Sequence, residues 1–411
     1  MDIVILRVIG LLAIAMIVAI IARRIRLPYT VGLVVAGICI TLLDFRTGAR
    51  LTHDFIYDVV LPPLLFEAAL SIHWSELRRD VLPVLILAIA GVIISAIVVA
   101  SGLFYGLHWP LPSALVFGVL IAATDPVSVI AMFKDTGVGG RLRLLVESES
   151  LLNDGVAAVL FALALSWAHS SGQIPALSDI AGALAVTIGG GIAIGLACGA
   201  GAIVIAGRTS DHLVETTLSI IAAFGSFQLA EHFDTSGVLA TVSAGLLMGN
   251  VGCLSNKAEA PLSSTGREFV IGFWEFAAFI ANSLIFLLIG LAVADISFDG
   301  MGLNALTFVV ALVLIGRAAS VYPLCLPLAW SRWAIPMAKQ HVLWWGGLRG
   351  ALSLALVLSL PSDLAFRNQI IIAAFAVVAF SVVVAGLTMP WLLKKLGFSA
   401  DMGSPSVQVG G

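Results

Sequence analysis

Long apolar stretches follow one another along the whole chain, and short segments that carry most of the charged residues separate them. A helix needs about 20 mostly apolar residues to cross a bilayer, and thirteen stretches come close to that length or exceed it. They are 3–22, 27–43, 55–72, 81–103, 112–133, 144–168, 178–206, 213–231, 237–255, 269–294, 303–328, 340–359 and 369–393. This pattern predicts an all-α polytopic membrane protein with about thirteen transmembrane helices.

The composition excludes a soluble or disordered protein. Of the 411 residues, 60% are hydrophobic and only 11% are charged, with a mean hydropathy of +1.10, whereas soluble domains are about one quarter charged. A net charge of −3 offers no basic surface for nucleic acid. The four cysteines lie far apart, and no histidine falls at mid-membrane. We therefore expect neither a cofactor nor an enzyme, which disfavours an intramembrane hydrolase.

Lysine and arginine are distributed very unequally between alternate loops. With the N-terminus outside, fifteen fall on the inner side, three fall outside and three lie in spans. Because cytoplasmic loops are enriched in these residues, we expect the N-terminus outside the cell membrane and the C-terminus in the cytoplasm. No loop is long enough for a soluble regulatory domain, so residues 1–411 are expected to form one transmembrane domain.

Several ionisable residues fall inside the predicted spans, where such groups are costly and are functional candidates by default. They are Arg7, Glu67, Asp125, Glu149, Asp154, Glu275, Arg317 and Arg349. Arg7 is near a span end, where its side chain can reach the interface. The others lie deeper and are the candidates for an ion pathway.

Two spans contain sequences that interrupt a helix. Pro126 removes a backbone donor and disfavours helical geometry at Asp125, while Gly346, Gly347 and Gly350 allow an opened backbone in span 12. Broken helices near the midplane are where transporters coordinate ions. Because an offset of seven spans reverses direction across the membrane, we predict two inverted repeats, approximately 1–168 and 213–393, each with a broken crossing helix.

Span 6 presents two polar faces. At 100° per residue, Ser150 and Asp154 share one face with Asn153 beside it, whereas Glu149 points about 140° away from Asp154. Hydroxyl, amide and carboxylate oxygens suit an alkali cation. Glu149 needs a cationic partner, and Arg349 is one candidate. Arg317 could instead pair with Glu149, with Glu275 or with a carbonyl of a broken helix.

Five strings, in order over nearly the whole chain, resemble one known family. They are LPPLLFEAAL (61–70), ATDPVSV (123–129), ESLLNDG (149–155), FWEFAAFIANSLIFLLIG (273–290) and GGLRGALSLAL (346–356). Together they resemble the NhaP-type branch of monovalent cation/proton antiporters, the family that includes the animal sodium/proton exchangers. The resemblance implies alternating-access exchange of Na⁺, or of Li⁺ or K⁺, for H⁺, with the cation and the proton competing for Asp154.

The resemblance also implies roles for individual residues. The cation ligands are Asp154, Ser150, Thr124 and Glu67, and the residues that hold the helices of the site are Asp125, Asn153 and Pro126. Glu149 is expected to form an ion pair with Arg349 and so to tie span 6 to span 12. Since Asn153-Asp154 offers one carboxylate, we expect electroneutral 1:1 exchange.

Family members are homodimers in which a core domain moves against a dimerisation domain. Gly191, Gly195 and Gly199 form a close-packing face on span 7, which serves either the dimer or packing within one protomer. Glu147 lies two helical turns before Asp154, either in an inner funnel that attracts cations or at a solvated helix start. Without the long cytosolic tail of the animal exchangers, the chain resembles a prokaryotic member.

Two other functions stay open from the sequence. A cation channel would need a continuous pore and no obligatory proton coupling, and no segment resembles a selectivity filter. A K⁺-selective K⁺/H⁺ antiporter would use the same oxygen ligands, because these ligands serve both cations. The expected partners are monovalent cations, protons and membrane lipid.

Overall fold

The computed structural model describes residues 2–25, 27–43, 51–169, 177–254, 261–296 and 300–398. The helices are α1 (Asp2–Ile25), α2 (Tyr29–Leu42), α3 (Leu61–Ser71), α4 (Trp74–Leu85), α5 (Gly91–Leu107), α6 (Leu111–Leu120), α7 (Val127–Thr136), α8 (Arg141–His169), α9 (Leu177–Ala206), α10 (His212–His232), α11 (Gly237–Leu247), α12 (Ser264–Asp295), α13 (Leu303–Cys325), α14 (Met337–Trp345), α15 (Ala351–Leu358), α16 (Arg367–Phe380) and α17 (Gly386–Lys395). Within the described ranges there is no β-strand, which confirms the all-α prediction.

Seven helical stretches in the described part of the chain are long and apolar enough to cross a membrane. They are Trp74–Leu107, Arg141–His169, Ala181–Ala206, His212–His232, Ser264–Asp295, Leu303–Trp330 and Arg367–Lys395. The other predicted spans fall on shorter apolar helices, such as Tyr29–Leu42, or on the interrupted pairs α6–α7 and α14–α15. The protein is therefore a multi-pass membrane protein, and the number thirteen stays a prediction.

The helices pack into two groups. The scaffold bundle is formed by α1, α2, α3, α9, α10, α11 and α12, and the crossing bundle by α4–α8 and α13–α17. The most extensive packing within the scaffold bundle is between α2 and α12, and within the crossing bundle between α5 and α13. Both interrupted pairs belong to the crossing bundle. The two bundles meet along α8, which contacts α3, α9 and α11, and also where α2 contacts α7 and α12 contacts α16.

The glycine face of α9 packs inside the protomer. A Cβ on Gly191 would overlap the backbone oxygen of Ser236, and a Cβ on Gly195 would overlap the backbone oxygen of Ala240. These positions need glycine because α11 approaches the α9 backbone directly. The face therefore joins two scaffold helices, which settles the choice that the sequence left open.

Candidate ion-binding site

The first interruption lies where the sequence predicts it. Helix α6 ends at Leu120 and α7 begins at Val127, with Pro126 as its N-cap residue. The carboxylate of Asp125 accepts a hydrogen bond from the backbone N–H of Val127 at 2.9 Å. Asp125 thus satisfies one of the free donors at the start of α7.

The second interruption lies directly against the first. Helix α14 ends at Trp345, α15 begins at Ala351, and the backbone N–H of Asp125 donates to the carbonyl of Leu348 at 2.7 Å. A Cβ on Gly350 would overlap the Asp125 carboxylate. The close approach of the two broken segments therefore depends on a glycine at this position.

Arg349 binds the first interruption and not Glu149. Its guanidinium donates to the carbonyls of Ala122 at 2.9 Å and Ala123 at 3.1 Å, and its backbone N–H donates to Ser381. These carbonyls have no helical partner because α6 has ended. Within the described residues, Nε of this buried arginine has no hydrogen-bond partner. Arg349 therefore compensates the broken backbone of α6.

The predicted ion pair between Glu149 and Arg349 is wrong. Both carboxylate oxygens of Glu149 accept from Arg317, at 2.8 Å each, and Arg317 also donates to the Leu343 carbonyl. Both partners are buried, and the two parallel hydrogen bonds have the geometry that a guanidinium favours with a carboxylate. The pair ties α8 to α13, because α8 turns Glu149 toward α13 while the freed carbonyls hold Arg349.

Thr124, Ser150 and Asn153 form a closed hydrogen-bond network between α8 and the first interruption. The amide of Asn153 donates to the Thr124 hydroxyl at 2.6 Å and accepts from the Thr124 backbone at 3.1 Å. The Ser150 hydroxyl donates to the Thr124 carbonyl at 2.5 Å. Asn153 therefore links the two segments through Thr124, whereas the side chain of Asp125 caps its own helix.

Asp154 contrasts with this network. Within the described residues, its buried Oδ1 atom has no hydrogen-bond partner. The side chain lines a cavity of about 60 Å³ whose wall also includes Glu67, Thr124, Asp125 and Asn282. A buried polar atom without a partner is costly, so this oxygen requires a proton, a cation or water.

Ser150 lies behind the cavity wall, where its hydroxyl is 2.8 Å from the Thr124 hydroxyl. The structure thus brings Asp154, Thr124 and Glu67 to one cavity and connects Ser150 to it through one hydrogen bond. Asn282 was not among the residues predicted for the site. The available signal was an amide inside an apolar span, but this side chain is neutral and does not stand out as an ionisable group does.

Two further candidates lie away from the cavity. Glu275 is exposed on α12, and Arg317, for which it was one possible partner, pairs with Glu149 instead. Glu147 is near the start of α8 and forms an i,i+4 ion pair with Arg143 at 3.0 Å. The side chain of Arg7 lies outside the described residues.

Comparisons with known proteins agree on the family. The family model for "Sodium/hydrogen exchanger, transmembrane" matches residues 11–395. The Na⁺/H⁺ antiporter ApNhaP of Aphanothece halophytica is 40% identical over 92% of this chain and 71% of its own length, and NhaG of Bacillus atrophaeus is 39% identical over 92% and 72%. The solved structure of the sodium proton antiporter MjNhaP1 from Methanocaldococcus jannaschii shares the fold, with a TM-score of 0.75 at 21% identity over 96% of this chain and 99% of that chain.

Proposed function

The chain belongs to the transmembrane sodium/hydrogen exchanger family, and from this premise we propose that it is a secondary antiporter exchanging Na⁺ for H⁺. Curated relatives that carry the name Na⁺/H⁺ antiporter and align with most of this chain support sodium as the first cation to test. The protein works in a prokaryotic cell membrane, with the N-terminus outside, as the lysine and arginine distribution favours.

The unpartnered Oδ1 of Asp154 carries this proposal. A carboxylate without a donor in a medium of low dielectric constant is destabilised, and either a proton or a monovalent cation removes that penalty. Two such ligands compete for one oxygen site. Only the neutralised site passes between the two sides of the membrane, because an empty charged site would have to pass an apolar barrier.

The lining of the cavity supports a hard cation. Thr124 supplies hydroxyl oxygen, Glu67 supplies a carboxylate from the scaffold bundle, and Ser150 supports Thr124 from behind. Oxygen ligands of this type favour alkali cations over zinc or copper. A cavity of about 60 Å³ has space for the ion together with water, since one water needs about 10–15 Å³ of such space.

The arrangement of the two bundles supports alternating access. The crossing bundle carries Asp154 and Thr124, and it moves against the scaffold bundle, which carries Glu67. The protein acts as a homodimer, as the family resemblance implies, with the crossing bundle as the moving part. In this proposal the two interruptions occupy matching positions in the inverted repeats 1–168 and 213–393.

The test is proton movement in proteoliposomes that contain the purified protein. A gradient of Na⁺, and separately of Li⁺ or K⁺, is imposed while an internal dye reports pH. We expect saturable proton movement driven by Na⁺ in the opposite direction. Movement driven by K⁺ alone would identify a K⁺/H⁺ antiporter, and cation flux without proton movement would identify a channel and refute the proposal.

A membrane potential tests the 1:1 stoichiometry. One proton exchanged for one monovalent cation moves no net charge, so a potassium diffusion potential set with valinomycin should leave the Na⁺-driven rate unchanged. A rate that rises or falls with the potential would contradict electroneutral exchange at the single carboxylate of Asp154.

A further inference from the structure

Helix α12 presents a second unpartnered oxygen to the cavity of Asp154. Among the described residues, the buried Oδ1 atoms of Asp154 and Asn282 both lack a hydrogen-bond partner, and both side chains line the same cavity. Leaving a buried amide oxygen unsatisfied costs free energy. Two such atoms around one small cavity indicate a ligand that the cavity is built to receive.

The neighbouring residue explains why Asn282 faces the cavity. The Ser283 hydroxyl bonds to Tyr29 of α2 and to the Phe279 carbonyl of its own helix. Adjacent helical residues point about 100° apart, so anchoring Ser283 against α2 directs Asn282 toward the crossing bundle. Close packing of Gly37 on Gly290 holds α12 against α2 and fixes this orientation.

We infer that Asn282 is a specificity-determining residue whose amide oxygen stabilises the transported cation, directly or through one water molecule. A neutral amide oxygen is a hard ligand for an alkali cation, but it does not take up a proton near neutral pH. Asn282 therefore favours the cation over the competing proton at Asp154. This inference rests on the proposed function and adds a second ligand from the scaffold bundle beside Glu67.

The location of Asn282 has a consequence for coupling. Asp154 and Thr124 belong to the crossing bundle, whereas Asn282 belongs to the scaffold bundle. A cation in the cavity is bound by both bundles and draws them together, while a proton on Asp154 makes no such connection. Asn282 therefore acts on cation affinity more than on the maximal rate.

The test compares three variants with the wild type in proteoliposomes at one fixed pH, with Na⁺ concentration as the variable. Asn282→Leu keeps a similar size and removes the oxygen, so half-saturating Na⁺ should rise about fivefold or more while the maximal rate stays within about twofold. Asn282→Asp keeps the oxygen and adds charge, so half-saturating Na⁺ should not rise. Glu275→Gln, at an exposed position on the same helix, is the control and should leave half-saturating Na⁺ unchanged.

Two results would overturn the inference: wild-type half-saturating Na⁺ in Asn282→Leu, or an equal rise in both Asn282 variants, which would indicate packing alone. If Asn282→Leu does not insert, Asn282→Ala replaces it in the same comparison. An inactive wild type would refute the proposed antiport, whereas an active wild type with an unaffected Asn282→Leu refutes only the role of Asn282.

Discussion

Glu149 and Asp154 are five residues apart on α8, yet their surroundings are opposite. Both oxygens of Glu149 accept hydrogen bonds from Arg317, and Asn153 donates a further one at 3.0 Å. Oδ1 of Asp154 has no partner within the described residues. The first carboxylate is satisfied by the protein itself, and the second is satisfied only by something that enters.

Helical geometry produces this difference. Five residues turn a helix by about 140° beyond a full turn, so one side of α8 faces α13 and the other faces the cavity. A carboxylate with a fixed guanidinium has no reason to exchange its partner, because breaking a buried pair is strongly unfavourable. Burial alone therefore does not identify an ion carrier, and the missing partner does.

The largest expected effect is the loss of exchange in Asp154→Asn. The amide keeps the size of the side chain and removes both the charge and the titrating proton. Na⁺-driven proton movement should fall to the level of empty liposomes, while the melting temperature stays at or above that of the wild type, because an unpartnered buried charge is gone. Flux and thermal unfolding are measured on the same preparation, and retained exchange would refute the carrier role.

The second prediction concerns the stability of the Glu149–Arg317 pair. Glu149→Gln and Arg317→Gln should each lower the free energy of unfolding by about 3–5 kcal/mol, since each leaves a buried charge uncompensated. The double variant should cost clearly less than the sum of the two, which is the sign of direct coupling. Thermal unfolding in detergent measures all three, and simple additivity would contradict a direct pair.

The third prediction separates Arg349 from that pair. Arg349→Gln removes hydrogen bonds to the Ala122 and Ala123 carbonyls, and leaving such groups unsatisfied costs about 1–3 kcal/mol. Its effect should therefore be smaller than that of Arg317→Gln. Combined with Glu149→Gln, it should show a coupling energy clearly smaller than that between Glu149 and Arg317, because no hydrogen bond joins Glu149 to Arg349. A coupling energy between Glu149 and Arg349 as large as that between Glu149 and Arg317 would contradict this prediction and support the Glu149–Arg349 ion pair that the family resemblance implies.

The Glu149–Arg317 pair shows which features of the site could be predicted from the sequence and which could not. Pro126 and the glycines at 346–350 predicted both interruptions, because these residues act on the local backbone whatever surrounds them. The charge rule predicted that Glu149 needs a cation, but Arg317 and Arg349 satisfy that rule equally well. Only the tertiary arrangement, which brings Arg317 of α13 within reach of Glu149 on α8, decides between them. That arrangement depends on distant segments, and no local pattern contains it.

Asn282 was missed for a related reason. A neutral amide in a span is not costly enough to stand out among ionisable residues, and its significance depends on which cavity it faces. The direction of a side chain on α12 depends on contacts with α2, such as the bond between Tyr29 and Ser283. The sequence therefore predicted the carboxylates and hydroxyls of the site and left out the amide of Asn282.

The smallest expected effect comes from Glu147, a third carboxylate on α8, which has an ion-pair partner but is not fully buried with it. The ion pair between Glu147 and Arg143 is partly exposed, with 13% of the Glu147 side chain and 34% of the Arg143 side chain accessible. Such i,i+4 pairs contribute about 0.3–0.5 kcal/mol at most. Glu147→Gln should leave the melting temperature nearly unchanged. If Glu147 attracts cations toward Asp154, half-saturating Na⁺ in Glu147→Gln should rise about twofold at low ionic strength and return to the wild-type value when an inert salt screens the charge.

The control is Glu275→Gln, which removes one carboxylate from an exposed position on α12. An equal rise in both variants would show a general effect of net charge, and no rise in Glu147→Gln would leave this carboxylate as part of a solvated helix start.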